Sequence, residues 1–519
     1  MSNKICSFSL QTVSVEEVLN LLKSLPDGKS TGYDLMDNFL LRCAAPQIAV
    51  PLRYIFNWSL EKGMFANVWK HAKLCPTPKD CKEPATPANS RPISLLPTLS
   101  KILEGIVSRQ IWEYMENNDL ITANQHAYRK NHSTTTALVD MTDQWLNAMD
   151  NGKFVGVLFL DFSAAFDLVD HEIILTKLMH YGFKEVALNW VQSYLTDRKQ
   201  STYINGSFSS PHALNCGIPQ GSCLGPLLYL IYTNDLSYAL AETQATIFAD
   251  DTTIYAAGQS VQQVQQALQG DLENIREWVC QNKLVLNTKK TKVMLVCSTR
   301  KRPKQHGIQL SMGGVQIEEV AETKLLGVQL DNCLSWSSQI TNLCKKNIKT
   351  ACIIRRIAKY LPGKILKQIT QALIESQVNY CSVVWGNESS SEVRRLQIAQ
   401  NKAASIVLRW RYGFSVAVIS NVLGWSSIDK IIEKNMLVLF HNIHHLKRPS
   451  TIHNGNQLVR DRHSVNTRNR LSTIYALSRQ KREIGKRTFR FRAIKKWNKL
   501  TEQTRNLSIY TFKHYFKTI

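Results

Sequence analysis

Hydrophobic and polar positions change period several times along the 519-residue chain, and the changes mark its elements. Near the start, Ser14-Val-Glu-Glu17 is a capping box ahead of Val18, Leu19, Leu21 and Leu22. This predicts an amphipathic helix that stops before Pro26-Asp-Gly28. Further helices are predicted to about Lys70. The polar, proline-dense residues 75–87 predict an extended loop, because helix and strand interiors both exclude that density of proline. Residues 90–114 read as helix, residues 124–133 as a polar, basic connection, and a long helix follows from about Thr134. It leads to the apolar run Val155-Gly-Val-Leu-Phe-Leu160, a strand. The β-branched stretch Ala245-Thr-Ile-Phe-Ala-Asp-Asp-Thr-Thr-Ile-Tyr255 predicts a β-hairpin with Asp250 and Asp251 at its tip. After it, Val261, Val264, Leu268, Leu272, Ile275 and Val279 form one stripe of a core-facing helix. Strand signals resume at residues 283–286, 293–297, 308–312 and 325–330; beyond Asp331 the pattern turns predominantly helical.

Composition narrows the class. With 44% hydrophobic and 20% charged residues, this is an ordinary globular chain. Charge is the outlier: 64 Lys+Arg against 40 Asp+Glu gives +24. Residues 441–519 alone hold 19 Lys/Arg and three acids, or +16 of that total. Such a surplus predicts a polyanionic partner, nucleic acid before a membrane surface, because no long apolar run is present as an anchor. The twelve cysteines contain no C-x-x-C pair, and neighbours such as Cys75 with Cys81 or Cys216 with Cys223 lack usual zinc spacing. They predict buried thiols of a reducing compartment. The first residues hold no signal-peptide core, so an intracellular protein that does not span a membrane is expected.

The chemistry starts with the acids. Two adjacent carboxylates repel one another unless a cation bridges them. Asp161 ends the strand upstream, and a strand ending in Asp beside a hairpin carrying Asp-Asp is the cluster with which polymerases hold two Mg²⁺ ions. Each motif alone is weak. An Asp-Asp hairpin is ordinarily a solvated turn, and Asp161 could instead cap a following helix. Between them, Asn215-Cys-Gly-Ile-Pro-Gln-Gly-Ser-Cys-Leu-Gly-Pro-Leu227 runs from a Gly/Pro-dense turn into an apolar helix with Pro226 near its first turn. Backbone can approach a ligand closely there and Gln220 can reach a base or sugar edge; an ordinary helix-entry turn has the same composition.

Taken in order, these motifs form a set: Asn89-Ser-Arg-Pro-Ile-Ser-Leu-Leu-Pro97, Asn124-Gln-His-Ala-Tyr-Arg129 with His132-Ser-Thr134, Leu160-Asp-Phe-Ser-Ala-Ala-Phe-Asp167, Gly217-Ile-Pro-Gln-Gly-Ser222, Phe248-Ala-Asp-Asp251, Leu286-Asn-Thr-Lys-Lys-Thr291 and Lys324-Leu-Leu-Gly-Val328. The set resembles the reverse transcriptases of LINE-type (non-LTR, jockey-like) retrotransposons, and the resemblance continues through Val384-Trp-Gly386 to Trp497-Asn-Lys-Leu500.

The resemblance implies an α+β right-hand polymerase: fingers, a palm with an antiparallel sheet, a helical thumb, and a basic, mainly helical C-terminal segment. The expected divisions are an N-terminal helical extension over 1–78, fingers and palm over 79–330, thumb over 331–440 and a nucleic-acid-binding segment over 441–519. The implied activity is RNA-directed DNA synthesis, a nucleotidyl transfer from dNTPs to a primer 3′-OH, with Asp161, Asp250 and Asp251 on two Mg²⁺ ions and Mn²⁺ as a substitute. Lys79 and Arg91 would face the triphosphate, Phe166 would be the gate against a ribose 2′-OH, and Gln220 and Gly221 would pack on the nucleotide and template base. Lys290 would protonate the leaving pyrophosphate, and Leu325, Leu326, Gly327 and Val328 would form the primer grip. Implied partners are template RNA and primer or target DNA, in a ribonucleoprotein of nucleus and cytoplasm. Endonuclease function is expected from elsewhere. Ala127-Tyr-Arg129 stands where many relatives have Gly-Phe-Arg, and Tyr33 where they often have Pro. The alternatives are an idle or repurposed nucleic-acid-binding remnant and an intron-type maturase.

Overall fold

The computed structural model describes residues 7–79, 86–87, 89–303, 307–387, 390–410, 415–456, 458–459 and 474–518. The architecture is mixed α/β. In chain order its described strands are β1 (His71–Pro78), β2 (Ser90–Leu95), β3 (Phe154–Leu160), β4 (Arg198–Ile204), β5 (Ser207–Phe208), β6 (His212–Leu214), β7 (Gln244–Phe248), β8 (Asp251–Gly258), β9 (Lys292–Val296), β10 (Ser311–Met312), β11 (Val315–Gln316), β12 (Glu318–Glu319), β13 (Glu322–Leu325) and β14 (Val328–Asp331). Two compact units are built from interleaved stretches. The first takes Met1–Thr122, Phe162–Leu240 and Asn274–Asn287; the second takes Ala123–Asp161, Ala241–Glu273 and Thr288–Ile519.

The first unit holds a sheet in the order β2-β1-β4-β5, with β6 also on β4. Strand β1 corrects the loop expected for residues 75–87, since its pairing with β2 runs to Pro78. Lys79 N–H donates to Asn89 O, so alternate residues of β1 face the β2 ladder. Pro76 and Pro78 therefore turn their missing N–H groups to the other side, where β4 pairs only as far as Leu74. Residues 80–85 and 88, including Cys81, lie outside the described set. The helix expected over 90–114 is likewise two elements, β2 and then the helix Thr98–Asn117. Ser14 caps its predicted helix, Val15–Lys23, by accepting the Glu17 N–H. The strand expected at 283–286 is reduced to an isolated bridge between Leu286 and Phe162.

The second unit is built on a sheet in the order β12-β9-β3-β8-β7, with β3 antiparallel to both β8 and β9. Its near-continuous apolar run suits a strand covered on both faces: Val155, Val157 and Leu158 are fully buried. On one face Val155 and Val157 join a cluster with Leu138 and Trp145 of the helix Thr134–Asp150. Gly156 points to the opposite face, where an added Cβ would come within 2.4 Å of Val264 and 2.6 Å of Leu268. Only glycine lets the helix Val261–Gln281 lie this close.

After Asp331 every described element of four or more residues is helical. The last of these helices belong to the same core. Phe489, Trp497 and Phe512 are buried in the cluster that contains Val157. Two carboxylates of the helix Thr134–Asp150 each accept two successive backbone N–H groups from this C-terminal stretch. Asp143 takes those of Phe489 and Arg490 at 2.6 and 2.9 Å; Asp150 takes those of Lys481 and Arg482 at 2.8 and 2.7 Å. Phe489 and Arg490 open the helix Phe489–Trp497, so Asp143 satisfies donors that have no partner within it.

The cysteines described are unpaired, but they correct the expectation of buried thiols. Cys297 and Cys381 are buried, whereas Cys43, Cys216, Cys223, Cys280 and Cys352 are exposed. Among the described residues no helix is long and apolar enough to cross a membrane.

Candidate active site

The acids belong to the second unit. β7 and β8 pair through Phe248↔Asp251, leaving Ala249-Asp250 as the two-residue loop. The tip is thus one residue earlier than predicted, and Asp251 is the first residue of β8. Because β3 pairs with β8 up to Leu160↔Thr252, Asp161 leaves its strand beside Asp251. Its backbone N–H donates to Thr291 Oγ1 at 3.4 Å.

All three carboxylates stay accessible, Asp161 partly and Asp250 and Asp251 openly. Burial of its inner side, followed by the charges of Asp250 and Asp161, pushes Asp251 up to about 6. Lys290 places Nζ 4.0 Å from Asp161 Oδ2, with both side chains solvated. Among the described residues, no three His, Cys, Asp or Glu side chains close into a ready-made ligand shell. The donor chemistry nonetheless fits a hard divalent ion, because the side chains carried to these strand ends offer carboxylate oxygens alone.

The hairpin β13–β14 carries the predicted grip in the same unit. Leu325 and Val328 pair with each other and point into the core. Leu326 and Gly327 make the turn with φ of 44° and 82°. Tyr380 seals it, its hydroxyl donating to Leu326 O at 2.6 Å.

Lys79, Arg91, Phe166, Gln220 and Gly221 belong to the first unit, where they converge only in part. Gln220 Nε2 donates to both oxygens of Asp167 at 3.0 and 3.1 Å. Burial raises the Asp167 carboxyl, while Gln220 and the charge of Lys79 pull it down. The turn itself is fixed by backbone: Ser94 N–H donates to Gln220 O at 2.7 Å, and Ile218 N–H to Phe166 O at 2.9 Å. At Gly221, φ is 121° and a Cβ would meet Ser94 O at 2.5 Å, so no other residue fits. Phe166 stacks on Tyr229 with ring centroids 4.6 Å apart. Arg91, across the ladder from Thr77, is exposed. A cavity of about 410 Å³ lies here, lined by Ser94, Asp167, Gln200, Gly217 and Gln220 among others. Buried Glu104 fixes the start of the helix Gly225–Thr233 by accepting the Cys223 N–H at 2.8 Å.

Asp167 and Gln125 were not singled out from sequence. Asp167 closes the Leu160–Asp167 motif, and its position opposite a Gln-bearing turn was the available signal. Gln125 lies within the Asn124–Arg129 motif, and that membership is its one signal in the sequence.

Each unit by itself holds a feature familiar from nucleic-acid polymerases: acids at the ends of neighbouring strands in the second, and a Gln-Gly turn beside an aromatic in the first. Residues 78–330 match the family model for reverse transcriptase (RNA-dependent DNA polymerase). The chain carries a reverse transcriptase domain of the non-LTR retrotransposon kind. It is 26% identical over 439 residues to the probable RNA-directed DNA polymerase from transposon BS of Drosophila melanogaster, covering 83% of this chain and 48% of that protein. It is 29% identical over 408 residues to the RNA-directed DNA polymerase from mobile element jockey of the same species, covering 76% and 44%. With the probable RNA-directed DNA polymerase from transposon X-element, also of that species, identity is 27% over 400 residues, covering 75% and 43%. The chain thus spans somewhat less than half the length of these relatives.

Proposed function

We propose that this chain is an RNA-directed DNA polymerase that extends a primer 3′-OH with dNTPs on an RNA template. The supporting observation is the meeting of Asp161, Asp250 and Asp251 on neighbouring strands, with Asp251 raised by its surroundings and its two partners. These carboxylates would hold two divalent ions, Mg²⁺ by the all-oxygen donor set, with Mn²⁺ as a substitute. Bound there, the ions supply charge neutralisation for an in-line phosphoryl displacement. Lys290, beside Asp161, carries a proton available to the departing pyrophosphate. Lys79 and Arg91 offer positive charge to the triphosphate, a task suited to Arg's bidentate fork. The Phe166 ring, held flat by Tyr229, is the steric element against a ribose 2′-OH. Asp167 fixes Gln220 for contact with the nucleotide and template base. Leu326 and Gly327, at a turn anchored in the core by Leu325 and Val328, present the primer end.

Under this reading residues 79–330 are fingers and palm, 331–440 thumb, 1–78 an extension and 441–519 a basic segment touching RNA or target DNA. Its setting would be a ribonucleoprotein inside the cell, with an endonuclease activity that cuts the target to supply the primer. The test is primer extension on poly(rA)/oligo(dT) with dTTP and Mg²⁺. Asp250→Asn should lower synthesis by at least about 10³-fold while RNA binding persists. Equal synthesis by both proteins would remove the metal-holding role. No synthesis by either, with RNA still bound, would leave an idle nucleic-acid-binding remnant.

A further inference from the structure

The loop that carries Asp250 is not one its own sequence favours. Two-residue hairpin loops call for Gly, Asn or Asp where φ is positive. Here that position is Ala249, with φ of 57° and nearly complete burial. A left-handed conformation brings the Cβ of an ordinary L-residue against the following carbonyl, so something outside the hairpin has to hold it.

The holding group comes from more than a hundred residues upstream in sequence. Residues 124–127 run as a strap along the end of β7. Ile247 N–H donates to Asn124 O at 2.9 Å and His126 N–H to Ile247 O at 2.8 Å, an isolated parallel bridge between Gln125 and Ile247. Gln125 is 1% exposed, and its amide oxygen lies at the turn. That oxygen accepts the Ala127 N–H at 2.9 Å and, at a longer 3.4 Å, the Ala249 N–H.

The strap is itself anchored. His126 is buried, with Nδ1 3.4 Å from Thr136 Oγ1 and Nε2 3.6 Å from Asp140 Oδ2. Thr136 belongs to the capping box with Ser133 that starts the helix Thr134–Asp150.

We propose that Gln125 is a positioning residue for the acid-bearing turn: its amide oxygen fixes the backbone at Ala249 and so sets the direction in which Asp250 and Asp251 leave the sheet. The inference rests on the polymerase reading for what the acids do, but the geometry is independent of it.

The test replaces Gln125 by Met, which keeps the length and removes the acceptor, and by Glu, which returns an acceptor oxygen. Two quantities are read: amide-hydrogen exchange in residues 248–251 and the Mg²⁺ concentration giving half-maximal primer extension. Gln125→Met should speed exchange in this turn at least tenfold, with the rest of the second unit unchanged, and should raise half-saturating Mg²⁺ at least fivefold. Gln125→Glu should restore the exchange protection. If Gln125→Met does not fold, Gln125→Asn withdraws the amide by one carbon and is read in the same way. Unchanged exchange in the turn, or faster exchange throughout the unit, overturns the proposal. Wild-type protein that extends no primer, in which the turn still responds to Gln125→Met, overturns the polymerase reading alone.

Discussion

The end of β3 and the C-terminal basic stretch both concentrate charge, and they treat it in opposite ways. At the acid end, three carboxylates stand near solvent, with Lys290 Nζ 4.0 Å from Asp161. In the C-terminal stretch, cations turn inward. Arg492 donates to Val383 O at 2.5 Å, to Arg487 O at 3.0 Å and to Gly386 O at 3.3 Å, and burial lowers it to about 10. Arg487 bonds Leu334 O, Arg490 bonds Ile452 O, and Arg505 is buried. The difference teaches that a +16 segment is not automatically a nucleic-acid surface. Part of its charge is used as hydrogen-bond donors to carbonyls of its own fold, whereas the carboxylates at the end of β3 and the start of β8 face solvent.

Four experiments sharpen or break that contrast. The largest effect is expected from Asp143→Ala. It strands two backbone donors and leaves Arg490 and Arg492 without their nearby carboxylate, so urea unfolding should show a loss of about 3 kcal/mol from the second unit. A loss below about 1 kcal/mol would mean that the C-terminal stretch is not held through this contact.

Next is pH. Burial pushes Asp143 up to about 6, against the pull of the Phe489 and Arg490 N–H groups and of nearby Arg490 and Arg492. A carboxyl whose folded pKa exceeds its unfolded value binds more protons when folded. Its contribution to stability is therefore complete below pH 4 and falls as pH rises to about 6, by on the order of 2 kcal/mol. Asp143→Asn should flatten that part of the stability–pH curve, and an unchanged slope would assign the titration elsewhere.

The third experiment concerns charges that remain outside. Lys495, Lys499 and Lys513 are exposed. Changing all three to Ser should make the salt dependence of RNA binding shallower by about 2 in log–log slope while leaving stability nearly unchanged. If the slope stays put, the C-terminal stretch does not touch RNA through these residues.

The smallest effect has the opposite sign to the first. Asp251→Asn relieves repulsion at the acid end and, allowing for solvent screening, should stabilise the metal-free protein by about 0.5 kcal/mol. Destabilisation would mean that the three acids are not in conflict.

Much of this was legible because it is local. The Asp250-Asp251 hairpin, the apolar run of β3, the stripe of the helix Val261–Gln281 and the Ser14 cap each follow from spacing over fewer than twenty residues. The errors are equally physical. Proline density in β1 argued against a strand, but Pro76 and Pro78 face the side that β4 leaves unpaired, which only the sheet order discloses. Pro92 and Pro97 mark the break between β2 and the helix after it, a signal the single helix expected over residues 90–114 overlooks. The roles of Asp143, Asp150 and Gln125 depend on partners more than a hundred residues away, and a carboxylate or amide in a polar stretch looks like any solvated residue until those partners are known.

The burial of Phe512 has a meaning for the order in which the protein is made. This side chain, fully enclosed, fills the same cluster as Val157 of β3, which precedes it by more than three hundred residues. A ribosome that has already delivered the strand, the hairpin and all three acids therefore holds a second unit whose core still lacks its final pieces. Folding of that unit must wait for the closing helices to emerge. A chain stopped after Asp331 would leave the Val155 and Val157 side of that sheet without the Phe489, Trp497 and Phe512 side chains that cover it.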